Sequence, residues 1–132
     1  MAKILLVDDD EATNYALSEV LKRTGHEVLS SFDGKSAQAV LKQQTPDLLI
    51  TDIFMENDGI ELLTWLRKVN KSMPVIVISG GSLFDDYEGI LKFMGDFGGD
   101  LMIRKPLDFM VLDASIQQLL TEGRPSKPIY MM

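Results

Sequence analysis

Three short runs, KILLV at 3–7, DLLIT at 47–51 and PVIVI at 74–78, are nearly unbroken in Val, Ile and Leu. A strand with one wet face alternates apolar and polar side chains, whereas an unbroken apolar strand needs cover on both faces. That requirement narrows the fold to a sheet sandwiched between helices. HEVLSS at 26–31 and DLMIR at 100–104 also read as strands, which makes five. Helical periods lie between them. Tyr15, Ala16, Val20 and Leu21 mark the first, with Gly25 as a C-cap. Ala37, Val40 and Leu41 follow a turn or cap at Asp33-Gly34. Leu62, Leu63, Leu66 and Val69 form a third stripe, Tyr87, Ile90, Leu91 and Met94 a fourth, and Leu112, Ile116, Leu119 and Leu120 a fifth. All of these are expected in the core, with Trp65 as packing or surface.

Five alternating strand–helix units with right-handed crossovers leave few topologies. The expectation is a flavodoxin-like, doubly wound α/β domain over residues 1–122. Its parallel sheet has five strands in the order 2-1-3-4-5, flanked by five helices. The segment GRPSKPIYMM at 123–132 has two prolines and little periodicity, so it is expected to be disordered, with docking through Ile129 and Tyr130 as the alternative. No apolar run approaches the roughly 20 residues of a membrane helix, and a strand begins too early for a signal peptide. A cytoplasmic protein without a membrane partner is therefore expected. The net charge of −7 argues against nucleic acid as a partner. The absence of cysteine removes disulfides, thiolate metal sites and a cysteine nucleophile.

In sheets of this kind, ligands bind beyond the carboxyl ends of the strands where the winding reverses. Strand one delivers Asp8 and Asp9 there, strand three Asp52, strand four Ser79 followed by Gly80-Gly81, and strand five Lys105 before Pro106. Each has a plain explanation alone: Asp8 or Asp9 as a helix cap, Asp52 as a strand end, Ser79 in a turn, Lys105 in solvent. Together they put three carboxylates, a hydroxyl and an ammonium on one rim. Two unit charges about 4 Å apart repel by roughly 4 kcal/mol at an effective dielectric of about 20. A cation offsets that repulsion, and Mg²⁺ takes oxygen ligands while keeping several waters. Such an ion would also let an anionic Asp52 approach an anionic phosphoryl donor and form an acyl phosphate. Lys105 and Ser79 would hold the phosphoryl oxygens.

The motifs ILLVDDDE, PDLLITDIFMENDGIELL, PVIVISGG and GGDLMIRKPL resemble, in this order and spacing, the receiver domain of two-component response regulators. The resemblance spans residue 3 to about 121. It implies that Asp52 accepts a phosphoryl group from a histidine kinase or phosphotransfer protein. It also implies that Asp9, Asp52 and the backbone carbonyl of Phe54 ligate Mg²⁺, with Asp8 assisting through water. Ser79 and Lys105 match the family's hydroxyl and lysine. Asp10 and Glu11 match only its acidic flank.

Three features depart from the family pattern. Met102 stands where receivers usually carry an aromatic residue. The loop after Asp52 is one residue shorter and has Glu56 in place of proline, with Gly59 starting the third helix. The segment between strands four and five is longer; Asp85 and Asp86 are read as caps, and some of Phe84, Phe93 and Phe97 as a partner surface or as loop packing. Phe54 and Gly81 stand at positions that tune phosphate lifetime and offer no group to orient water, which predicts slow to moderate self-dephosphorylation. His26, far from the rim, is a poor phosphodonor.

The expected protein is a stand-alone phosphoacceptor switch rather than an enzyme, a monomer or weak dimer acting on a separate protein target through its strand-four to helix-five face. Two alternatives remain. One is an interaction module that is never phosphorylated. The other is a Mg²⁺ phosphohydrolase with its nucleophile at Asp8, in which Ala12 fits poorly and for which the length leaves no cap domain.

Overall fold

The computed structural model describes residues 1–53, 58–80 and 87–131, with the side chains of Asp58 and Tyr87 excepted. The elements run β1 (Lys3–Val7), α1 (Glu11–Arg23), β2 (Glu27–Ser31), α2 (Gly34–Gln43), β3 (Leu48–Asp52) and α3 (Asp58–Val69). They continue as β4 (Val75–Ser79), α4 (Tyr87–Phe97), β5 (Leu101–Arg104), α5 (Phe109–Glu122) and β6 (Ile129–Met131). The sheet is parallel in the order β2-β1-β3-β4-β5-β6. The expected order 2-1-3-4-5 and the five helices are present, and a sixth strand extends the sheet.

The all-apolar strands are buried on both faces. Every residue of β3 and β4 is buried, and their side chains alternate between two cores. Ile4, Leu6, Leu48, Ile50, Ile76, Ile78, Leu101 and Ile103 pack against Leu17 and Leu21 of α1 and Leu112, Ile116 and Leu119 of α5. Leu5, Val7, Leu49, Val75, Val77 and Met102 pack on the other face against Ala37 of α2, Leu62, Leu63 and Leu66 of α3, and Phe93 and Met94 of α4. β2, at one edge, is mostly half-buried or exposed.

Three expectations need correction. Tyr15 and Ala16 are exposed on α1, whose buried residues are Asn14, Leu17, Ser18 and Leu21. Reading the period from apolar Tyr15 instead of polar Asn14 misplaces the stripe by one residue, about 100° around the helix. Val69, at the last turn of α3, is also exposed. Finally, the tail expected to be disordered carries β6, whose Ile129 amide donates to the Asp100 carbonyl at 2.9 Å. Docking through Ile129 and Tyr130 is thus the observed arrangement. The edge of β5 offers unpaired backbone groups, and half-buried Ile129, Tyr130 and Met131 cover it.

Phe93 is buried and Phe97 half-buried, with ring centroids 4.9 Å apart, so these two rings pack against each other. Trp65 is half-buried against the same core. Glu56, Gly81, Phe84, Asp85 and Asp86 lie outside the described residues. No helix among the described residues is long and apolar enough to cross a membrane.

Candidate functional site

The rim is built by strand register. β1 and β3 pair through Val7 and Thr51, so Asp8, just past β1, and Asp52, the last residue of β3, come side by side. Asp52 stands opposite Ile78, and Ser79 opposite Arg104. The Lys105 amide donates to the Ser79 carbonyl at 2.8 Å, which ties the tips of β4 and β5. Asn14, buried on α1, donates through Nδ2 to the carbonyls of Asp8 at 3.0 Å and Ser31 at 2.9 Å. One amide thus clamps the ends of β1 and β2 to the first helix.

The helix cap is Asp10, not Asp8 or Asp9. Its carboxylate accepts from the Thr13 amide and hydroxyl, which satisfies a donor at the start of α1. These hydrogen bonds hold its pKa below the ordinary carboxylate value. Capping accounts for one of the four consecutive acids and leaves Asp8 and Asp9 for another task.

Asp8, Asp9 and Asp52 each present a carboxylate oxygen, and the three oxygens lie within 4.8 Å of one another. Asp8 and Asp52 are buried and Asp9 is exposed. Lys105 Nζ bridges the buried pair, 3.1 Å from Asp8 Oδ2 and 2.8 Å from Asp52 Oδ2. The second Asp8 oxygen accepts from the Asp10 amide at 2.9 Å. Burial pushes the Asp8 pKa up, against the pull of the Asp10 amide and Lys105. Burial works against the Lys105 ammonium, but the hydrogen bond and charge of Asp52, then of Asp8, outweigh it and raise its pKa. Among the described residues, one ammonium faces these three carboxylates, which leaves the cluster short of positive charge. Mg²⁺ about 2.1 Å from its ligands spans oxygens up to about 4.2 Å apart, so a small closure fits this all-oxygen set to a divalent cation.

Two glycines set clearances. A Cβ at Gly59 would lie 2.9 Å from the Ile53 carbonyl oxygen and 3.0 Å from that of Asp52, so α3 begins directly on the backbone that presents Asp52. A Cβ at Gly80 would lie 3.3 Å from Lys105 Cδ, so the lysine stem passes over it.

The fold thus brings together Asp8, Asp9, Asp52, Ser79 and Lys105 from four strand ends. Phe54 lies outside the described residues. His26 is at the opposite end of the sheet, buried, with Nδ1 accepting from the Ala2 amide at 3.2 Å. Asn14 was not expected from the sequence. Its only signal is an amide at the position of the buried stripe where an apolar residue would normally stand.

The sequence matches the family described as response regulator receiver domain over residues 4–117. The transcriptional regulatory protein AfsQ1 of Streptomyces coelicolor is 32% identical over 93% of this chain and 53% of its own length. The chain therefore spans about half the length of such curated relatives. Among solved structures, the Francisella response regulator 1452 receiver domain has a TM-score of 0.81 and 29% identity, covering 92% of this chain and 98% of that one. The response regulator TrrA of Thermotoga maritima, in complex with Mg²⁺–BeF, has a TM-score of 0.78 and 26% identity, covering 90% and 99%.

Proposed function

The chain belongs to the response regulator receiver family, and on that premise we propose that it is a phosphorylation-dependent signalling switch whose acceptor is Asp52. The carrying observation is the single ammonium of Lys105 shared between Asp8 and Asp52, with the Asp9 carboxylate alongside. An Asp52 oxygen attacks the phosphorus of a phosphohistidine donor; the new P–O bond forms as the P–N bond breaks and the imidazole leaves. Lys105 exchanges its Asp52 contact for phosphoryl oxygens as a point charge. Ser79, at the tip of the neighbouring strand, donates to another oxygen. Asp9 and Asp52 would hold Mg²⁺ with Asp8 assisting through water, and the Phe54 carbonyl is a further ligand implied by the resemblance. When bound, the ion supplies charge neutralisation on the phosphoryl group. The partners are a histidine kinase or phosphotransfer protein upstream and a protein target downstream.

Acetyl phosphate with Mg²⁺ tests this reading by intact mass. One phosphoryl group should be gained as a base-labile adduct and lost in Asp52→Asn. Labelling that persists in Asp52→Asn and disappears in Asp8→Asn would favour the hydrolase instead, and no labelling of the native chain would leave only an interaction module.

A further inference from the structure

β6 joins the site to the tail in a way that neither the acceptor chemistry nor the family likeness accounts for. Its register places Tyr130 beside Met102 of β5, which in turn lies beside Val77 of β4. These three form one row across the sheet, on the face packed against Phe93 and Met94 of α4. Ser79, two residues beyond Val77, shares that face one row nearer the rim. Lys105 is two residues beyond Ile103, whose β6 partner is Met131. The outer strand therefore lies one side chain away from the strand tips that must respond when Asp52 gains a phosphoryl group.

The two ends of the tail are held unequally. At its base, Arg124 Nε donates to the buried Asp100 carboxylate at 2.8 Å and its Nη1 to the Lys71 carbonyl at 2.8 Å. β6 itself is three half-buried residues paired on one side only. Short edge segments sit toward the low end of local stability. A tethered base followed by a three-residue strand paired on one side only is the geometry of a latch.

We propose that β6 is a phosphorylation-responsive latch in which Tyr130 is a positioning residue: phosphoryl transfer to Asp52 loosens residues 129–131 from β5 while Arg124 keeps the segment attached. The proposal rests on the reading of Asp52 given above. Lys105 and Ser79 turn outward to the phosphoryl oxygens, and the Lys105 amide on the Ser79 carbonyl makes the two tips move as one. Met102, unbranched and flexible, follows into the space beside Val77. The Tyr130 ring then loses its Met102 contact across the β5–β6 ladder. The shift is limited by the difference in latch affinity between the two states, and a tenfold change corresponds to about 1.4 kcal/mol.

Hydrogen–deuterium exchange on the full chain, treated with acetyl phosphate and Mg²⁺ and read beside intact mass, tests this directly. The peptide spanning 124–131 should exchange about tenfold faster in the phosphorylated protein and should not change in Asp52→Asn. Tyr130→Phe, which keeps the ring, should preserve the phosphorylation-dependent difference, and Tyr130→Leu should erase it. A native chain that gains the phosphoryl mass with unchanged or slower exchange at 124–131 overturns the latch and leaves the acceptor intact. So does a difference that survives in Tyr130→Leu. A native chain that gains no mass overturns both.

Discussion

Two buried carboxylate clusters stand at opposite ends of the same sheet, and their charge balance differs in sign. At the rim, Lys105 bridges Asp8 and Asp52 with the Asp9 carboxylate alongside, one ammonium for three carboxylates among the described residues. At the base, the single carboxylate of Asp100 accepts from two guanidiniums, Arg67 Nη2 at 3.1 Å and Arg124 Nε at 2.8 Å, and from the Val75 amide at 2.8 Å. Arg67 also donates to the carbonyls of Gly98 at 2.9 Å and Met73 at 2.8 Å. Burial and then the nearby Arg124 push its pKa down to about 10, with Asp100 pulling it back up, so it remains charged at neutral pH. Gly98 has a φ of 84° and a Cβ there would collide with the Arg67 side chain, so the turn is shaped around the guanidinium. The saturated cluster ties α3, β5 and the tail together. At the rim, three carboxylates face one ammonium among the described residues, so negative charge is in excess there. Unmatched charge in a folded rim marks chemistry; matched charge marks construction.

The strongest way to break that contrast is to neutralise one acid at each end. Asp52→Asn should lose all labelling by acetyl phosphate while its thermal midpoint stays level or rises, because a like charge has been removed. Asp100→Asn should cost about 3 kcal/mol in denaturant unfolding, the scale of breaking a buried pair by removing one partner, and its folded fraction should still label. Equal stability losses in the two variants would erase the distinction.

A smaller effect sharpens it. Mg²⁺ at 100 times its dissociation constant should stabilise the native chain by about 2.7 kcal/mol, read as a rise in thermal midpoint. The same rise should appear in Asp100→Asn and shrink in Asp9→Asn. A rise that survives in Asp9→Asn would move the cation away from the rim.

The smallest effect concerns acids that belong to neither cluster. Asp33 caps α2 by accepting from the Ser36 amide at 2.7 Å, and this bond lowers its pKa. A carboxylate depressed on folding contributes stability above its unfolded pKa of 3.8, and that contribution is lost as pH falls through the lower folded value. Acid titration of Asp33→Asn should show a shallower fall over that window than the native chain. An unchanged slope would detach the cap from acid stability.

How far the sequence carries is set by the range of the interactions involved. β1, β3 and β4 are legible because burial on both faces leaves an unbroken apolar run, and a local pattern suffices. Asp8, Asp9, Asp52 and Lys105 are legible because a parallel sheet gathers residues that follow successive strands. The base cluster is not legible in the same way. Arg67 and Asp100 are 33 residues apart and Arg124 another 24 on, and no local period links them. β6 is three apolar residues after Pro128, too short to display alternation, and its place is decided by the open edge of β5 rather than by its own propensity. Asn14 defeats the helical pattern for a related reason: a polar side chain is buried because two carbonyls at neighbouring strand ends need a donor.

The clearance at Gly59 bears on how such a molecule can be altered. With no room for a methyl group above the Asp52 and Ile53 carbonyls, the height at which Asp52 stands is a fixed dimension of the molecule. Anyone retuning this protein toward another donor or a longer-lived adduct must leave that floor alone and work on the surrounding walls.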